Sequence, residues 1–136
     1  MNRDLIKYRK NRAQETLEDA LLLAGSGRWN ACVNRLYYAC FYAISALLLL
    51  DGRSSTRHTG VRALFNLHFV RNGIVPKDLA IVYNDLFERR QEGDYVDFVV
   101  FKEKQVRPWL EQAQLFVQEI SILIERRLPE ADLDND

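Results

Sequence analysis

The chain has 136 residues, which suits one domain and leaves little room for a second. Its 19 Lys+Arg are matched by 19 Asp+Glu, so the formal net charge is zero; this disfavours a broadly basic nucleic-acid binder but is compatible with a local cationic patch. With 48% apolar residues, six glycines and three prolines, the composition excludes a disordered or fibrous chain and fits packed, mostly helical structure.

A first helix is marked by Ile6, Ala13, Leu17, Ala20, Leu21 and Ala24, with Lys7, Lys10, Glu18 and Asp19 on the opposite face, and Gly25-Ser26-Gly27 stops it. A second runs from Trp29 to Leu50, where Asp51-Gly52 ends it. From Leu36 to Leu50 this helix carries no charge, but about fifteen residues fall short of the ~20 that cross a bilayer, and Asn34 and Arg35 directly precede them. The expectation is therefore the central, nearly surrounded helix of a bundle and no membrane association. Cys32 and Cys40 lie on it roughly 12 Å apart along the axis, too far for a disulfide, which needs Cα atoms within about 7 Å. With a charged amphipathic start in place of a signal peptide, the expected compartment is the reducing cytoplasm.

Ser54-Ser55-Thr56 offers N-caps for a third helix, about His58 to Arg71, with Val61, Leu64, Phe65 and His68 on one face and Asn72-Gly73 at its end. Pro76 opens a fourth, through Leu79, Val82, Tyr83, Leu86 and Phe87, and an irregular segment from Gln91 to Phe101 follows. The last helix, Lys102 to Leu128, aligns Val106, Leu110, Ala113, Val117, Ile120 and Ile124, with Trp109, Phe116 and Leu123 widening the stripe. Pro108 should start or kink it, and Pro129 should close it, leaving a single domain over 1–128 and an acidic tail over 129–136. Short connections make antiparallel neighbours the default, so the predicted fold is all-α, an antiparallel up-and-down four-helix bundle with a short additional helix.

The residues offer no metal or cofactor motif. Two His and two Cys give no ligand cluster, and Glu-x-x-His pairs, glycine-rich phosphate loops and Gly-x-Ser-x-Gly elbows are absent from the sequence. Two other clusters carry signal. On the second helix Asn30, Asn34, Tyr38, Tyr42 and Ser45 form a polar-aromatic stripe beside Val33, Tyr37, Cys40, Ile44 and Leu47. Such tyrosines serve either a core whose hydroxyls are satisfied by neighbouring helices or a subunit interface. At the end of the fourth helix stands Glu88-Arg89-Arg90-Gln91-Glu92-Gly93-Asp94-Tyr95. Arg89 and Arg90 can simply complement the negative helix end, with Gly93 as the break; alternatively two guanidiniums beside a tyrosine hold a phosphate and stack a base.

The order Arg12-Ala13 with Leu17 and Asp19-Ala20, then Asn34-Arg35-Leu36-Tyr37-Tyr38-Ala39, Ala46-Leu47-Leu48, Arg57-His58, Phe69-Val70 with Gly73, and Arg90-Gln91-Glu92-Gly93-Asp94-Tyr95 before Ala113 and Phe116-Val117, resembles the HEPN (higher eukaryotes and prokaryotes nucleotide-binding) domain, in its small stand-alone prokaryotic branch. The resemblance covers roughly residues 5 to 125. It implies an antiparallel four-helix bundle with a short extra helix, commonly dimeric. It also implies either a metal-independent ribonuclease or toxin paired with a nucleotidyltransferase, or a non-catalytic member. The family's catalytic signature is an arginine followed, after four to six residues, by a histidine. Here Arg89 and Arg90 are followed by Gly93, Asp94 and Tyr95, with no histidine. Tyrosine titrates near ~10 and a carboxylate near ~4, so neither is a ready base at pH 7 unless its surroundings shift it. Arg53 with His58 and Arg62 with His68 match the spacing elsewhere; with fourteen arginines in the chain such pairings arise by chance, and His68 reads as a packing residue. His58, beside Arg57 at the start of the third helix, is the better candidate.

The resulting expectation is a cytoplasmic homodimer that binds RNA or a nucleotide, as half of a two-gene module with a nucleotidyltransferase, without a cofactor or metal. Arg89, Arg90 and Arg57 would contact phosphate and Tyr95 would stack. Arg35, Tyr38 and Tyr42 would lie at the dimer interface, with Arg35 and Tyr38 alternatively extending the site. By the resemblance, Tyr95 is also a candidate target for nucleotidylation by the partner. The competing expectations are an active ribonuclease using His58 or Asp94 with Arg90, and a non-catalytic structural dimer.

Overall fold

The computed structural model describes residues 2–134, with side chains for 2–128. Its helices are α1 (Arg3–Gly25), α2 (Trp29–Leu49), α3 (His58–Phe65), which runs directly into a π-helical turn at Asn66–Val70, α4 (Lys77–Tyr95) and α5 (Glu103–Asp134). Among the described residues there is no strand. The first helix starts where Asn2 Oδ1 accepts from the backbone N–H of Leu5, and it ends at a turn in which Gly27 adopts a φ of 69° that a side chain would resist. Lys102 begins α5 in a half capping box, its N–H donating to Gln105 Oε1 at 2.9 Å.

Cross-helix contacts set the directions. Asn34 of α2 meets Asp94 of α4, and Tyr37 meets Tyr83, so these helices are antiparallel. Lys10 near the start of α1 pairs with Glu125 late in α5, so those two are antiparallel as well. The result is the up-and-down four-helix bundle of α1, α2, α4 and α5, with α3 as the short addition. By length and composition α2 is the one described helix that would suit a membrane span, yet 67% of its most apolar window is buried inside the bundle, against α1, α4 and α5. Cys32 and Cys40 are free and buried within it; burial pushes the Cys32 thiol up to about 11 and Cys40 in the same direction, so both stay protonated. The α5 stripe from Val106 to Ile124 lies in the core as its spacing predicts, joined by Phe116.

Three stretches differ from expectation. The irregular segment begins at Val96, not Gln91, because α4 continues through Gly93 to Tyr95. Gly93 is no break: a Cβ there would lie 2.8 Å from the Phe101 ring, so the glycine makes room for a packed aromatic. Phe101 is held in place by Asn30, whose Oδ1 accepts from the Phe101 N–H and whose Nδ2 donates to the Val99 carbonyl, both at 2.8 Å. The third helix becomes π-helical after Phe65, with the Arg71 N–H donating to the Asn66 carbonyl five residues back. Val61, Phe65 and Phe69 then point inward while His68 is half-exposed, so His68 is not a core residue. At the C-terminus α5 passes through Pro129 to Asp134 and does not close there: a proline loses its N–H bond and crowds the carbonyl four residues back, which can bend a helix without ending it. The expected acidic tail is therefore helical in its backbone as far as Asp134, and its side chains and last two residues lie outside the described part.

The Gly93 contact has a measurable sign. Alanine in an exposed helix would gain about 1 kcal/mol over glycine, whereas forcing a methyl into packed surroundings costs about 2 kcal/mol. Urea denaturation of Gly93→Ala should show a net loss of about 1 kcal/mol, and the same change in a Phe101→Ala background should be neutral or stabilising. A gain in stability with Phe101 present would show that the ring yields freely.

Candidate functional site

Three segments distant in sequence meet at one end of the bundle. Antiparallel packing brings the last turns of α4 against the N-terminal half of α2, and the loop after α2 returns so that α3 begins beside Tyr37 and Phe41. Arg90 projects inward from α4 and is 6% exposed. Its guanidinium carbon stands 4.7 Å from the centroid of Tyr37, 5.7 Å from Tyr38 and 5.9 Å from Tyr95. One carboxylate approaches it, Asp94, at 3.9 Å, and the Arg90 Nε is buried without a hydrogen-bond partner. Burying a charge this way is costly, and the ring faces repay it in part at about 2 kcal/mol for a desolvated cation–π contact. Asp94 accepts from Asn34 Nδ2 at 2.8 Å, and Asn34 Oδ1 accepts twice from Arg35, at 3.1 and 2.9 Å. The Arg35 guanidinium also lies 5.0 Å from the Tyr38 ring.

His58 completes the cluster. Its Nδ1 shares a 2.7 Å hydrogen bond with the Tyr37 hydroxyl, and its ring stacks on Phe41 at 4.5 Å with Tyr38 edge-on at 5.6 Å. Burial, and after it the charge of Arg90, push the imidazole below its ordinary value, so it is uncharged at neutral pH. The Tyr37 phenol is pushed up to about 12 by burial, and burial drives Tyr83, 3.4 Å from the Tyr37 hydroxyl, the same way. Both phenols thus stay protonated and serve only to orient. With Tyr37 donating to Nδ1, the imidazole proton sits on Nε2; with Nδ1 donating, Nε2 carries the free lone pair that a base needs.

Of the residues singled out from the sequence, Arg90, Asp94, Tyr95, His58, Tyr38 and Arg35 come together here. Tyr95 is 74% exposed and forms the outer wall. Arg57 is exposed at the N-cap of α3, next to His58. Arg89 points elsewhere, pairing with Glu92 at 2.8 Å and lying 5.7 Å from the Trp109 ring on α5. Tyr42 sits one turn beyond Tyr38 and accepts from Arg12 Nη2 at 3.2 Å. Arg90 lies a turn before the end of α4 and is buried against Tyr37, so complementing the helix end does not account for its placement. Tyr37, Tyr83 and Phe41 were not singled out for function, because a hydropathy stripe registers their rings and not their hydroxyl or stacking partners. The one available signal was the position of Tyr37 and Asn34 within the Asn-Arg-x-Tyr-Tyr-Ala run.

Comparison with known proteins agrees with this architecture. The sequence profile of the HEPN domain matches residues 6–123. A UPF0332 protein of Thermotoga maritima is 47% identical over 121 residues, 89% of this chain and 92% of its own length. A protein of Methanocaldococcus jannaschii bearing the name "Putative toxin MJ0142" is 26% identical over 125 residues, 91% of this chain and 85% of its own. The crystal structure of TT1696 from Thermus thermophilus superposes with a TM-score of 0.69 at 22% identity, covering 93% of this chain and 99% of that one. At that identity the likeness is one of fold.

The coupling of His58 to Arg90 can be measured by NMR titration of the ring protons. The pKa of His58 should lie below ~6.5 and rise part of the way back in Arg90→Gln. Because protonation is disfavoured in the folded state, the associated stability is fully present above ~6.5 and is lost as pH falls below it. A His58 pKa that does not move in Arg90→Gln would remove Arg90 as its electrostatic neighbour.

Proposed function

Since the chain belongs to the HEPN family, we propose that it binds RNA or a nucleotide at the Arg90–His58 site and acts as the toxin-like half of a two-gene module with a nucleotidyltransferase. The observation that supports this most is a nearly buried guanidinium with an unpartnered Nε beside an uncharged imidazole and an exposed tyrosine ring. A phosphate supplies the charge that Arg90 lacks, since Asp94 stands beyond hydrogen-bond distance. Tyr95 offers a face for a base and Arg57 adds cationic character at the rim. Arg89, neutralised by Glu92, contributes to the field and not to contact. The toxin-named relatives favour a toxin-like role, and the exposed Tyr95 hydroxyl is an accessible acceptor for nucleotidylation by the partner. In this proposal the protein is a cytoplasmic homodimer with Arg35 and Tyr38 beside the interface, while Tyr42, engaged by Arg12, serves ligand contact.

A second proposal is metal-independent RNA cleavage, favoured by the presence of a histidine next to Arg90 within one chain although the arginine-to-histidine spacing of the family is missing. The RNA 2′-hydroxyl would attack the adjacent phosphorus, forming the P–O2′ bond and breaking P–O5′. His58, as the neutral imidazole, would take the 2′-hydroxyl proton, water would protonate the departing O5′, and Arg90 would stabilise the charge developing on the phosphoryl oxygens.

Binding of labelled single-stranded RNA at two salt concentrations separates these. Wild type should bind and weaken with salt, and Arg90→Lys, which keeps the charge but loses the fork, should bind more weakly. Equal binding by wild type and Arg90→Lys, with a salt slope unchanged even in Arg90→Ala, would remove this site. For cleavage, total RNA in EDTA should be degraded by wild type and about 10² to 10⁴ times more slowly by His58→Ala. RNA left as intact by wild type as by the variant ends the ribonuclease proposal without touching the binding one. A stable monomer in sizing chromatography at micromolar concentration would end the dimer.

A further inference from the structure

A cavity opens between the first half of α1 and the second half of α2, with Phe41 in its wall. It holds ≈ 240 Å³ and is lined by Tyr8, Arg9, Arg12, Phe41, Tyr42 and Ser45, with Ser55 from the following loop at its edge. At ~30 Å³ per water this is room for about eight waters, the scale of a base with its phosphate and not of a lone ion. Its chemistry is also that of a nucleotide site, with two guanidiniums, two tyrosines, the edge of a phenyl ring and two hydroxyls. Among the described residues neither Arg9 nor Arg12 has a carboxylate at ion-pair distance; Glu15, one turn away, is felt by Arg12 without pairing. Lys10, between Arg9 and Arg12 on α1, faces α5 and is paired with Glu125.

The cavity adjoins the Arg90 cluster through its aromatic wall. Phe41 lines the cavity and stacks on His58 at 4.5 Å, and Tyr42 lies 6.1 Å from Tyr38. Along α2 three guanidiniums each cover a tyrosine ring: Arg12 on Tyr42 at 5.0 Å, Arg35 on Tyr38 at 5.0 Å and Arg90 on Tyr37 at 4.7 Å. Tyr38 and Tyr42 are one helical turn apart, about 6 Å of rise. Tyr37 is fully buried and only carries Arg90, but the partly exposed Tyr38 and Tyr42, with cations beside them, form the kind of row by which proteins follow a single strand without reading its sequence.

We propose that this cavity is a second nucleotide subsite, which takes the phosphate and base next to those at Arg90, so that the ligand is single-stranded RNA spanning both sites and not a mononucleotide. The assignment rests on the RNA-binding proposal for the Arg90–His58 site and adds to it a direction, from α4 across α2 to α1.

The test compares two probes, a labelled oligouridine decamer and uridine monophosphate, the latter followed through the His58 ring signals. Arg9→Gln/Arg12→Gln should bind the decamer about tenfold more weakly, with a log–log salt slope reduced by about 1.4, the value for two phosphate contacts at ~0.7 each. Tyr8→Ala, at a residue 60% exposed and outside the core, should also weaken the decamer about tenfold by losing a stacking face. In both variants the monophosphate should still perturb His58 as in wild type. Decamer affinity and salt slope unchanged in both variants, while Arg90→Lys weakens binding, would overturn the second subsite and leave the first intact. A wild-type protein that binds no decamer would overturn both.

Discussion

The structure around the site depends on the contact between Arg90 and Tyr37. Tyr37 is fully buried, with Arg90 over one face, the Tyr83 ring stacked at 5.7 Å, and its hydroxyl shared between His58 and Tyr83. One phenol therefore satisfies three demands. It covers a charge that is only 6% exposed, supplies the polar partner that a half-buried imidazole needs, and fills the core where α2, α3 and α4 meet. Because both phenols of the Tyr83–Tyr37 pair remain protonated, the imidazole is held by neutral donors and acceptors and stays free to change its own charge. Arg90 acts in the opposite sense, keeping His58 uncharged at neutral pH while carrying the cation itself.

The rest of the fold holds that contact in register. The Asn30 side chain clamps the connection before α5, which seats Phe101 over Gly93, and that packing accompanies the continuation of α4 to Tyr95. Two further helical residues are enough to place Asp94 within reach of Asn34 and Tyr95 beside Arg90. Helices buried on one side position side chains more rigidly than loops do, and here only the approach to His58 is left to a loop.

A neutral chain and a cationic site are reconciled by where the charges are spent. Arg62 with Glu88, Arg89 with Glu92, Arg107 with Glu103 and Lys10 with Glu125 neutralise one another on the surface. Arg9, Arg12 and Arg57 enter no such pair among the described residues, and Arg90 has only a distant one. These four flank the tyrosines and phenylalanine on the open side of α2. Net charge speaks to solubility and long-range attraction; a local site needs only that its own cations lack partners.

Helix number, the central position of α2 and the core stripe of α5 were legible in the sequence because apolar spacing reports which face of a helix leaves water. The same residues carried the family resemblance, and Arg90, Asp94, Tyr95 and His58 stood out as chemically competent. Their meeting did not follow from the sequence, since His58 and Arg90 belong to different helices and no spacing rule relates them. Nor did the burial of Arg90 against Tyr37, or the continuation of α4 past a glycine that composition marks as a stop. Local propensity is a short-range property and describes each helix in isolation. The position of a guanidinium over a particular ring depends on packing between distant segments, as in the Asn34–Asp94 bond across 60 residues, and Phe101 is held over Gly93 by Asn30, 71 residues before it; only the tertiary structure decides them.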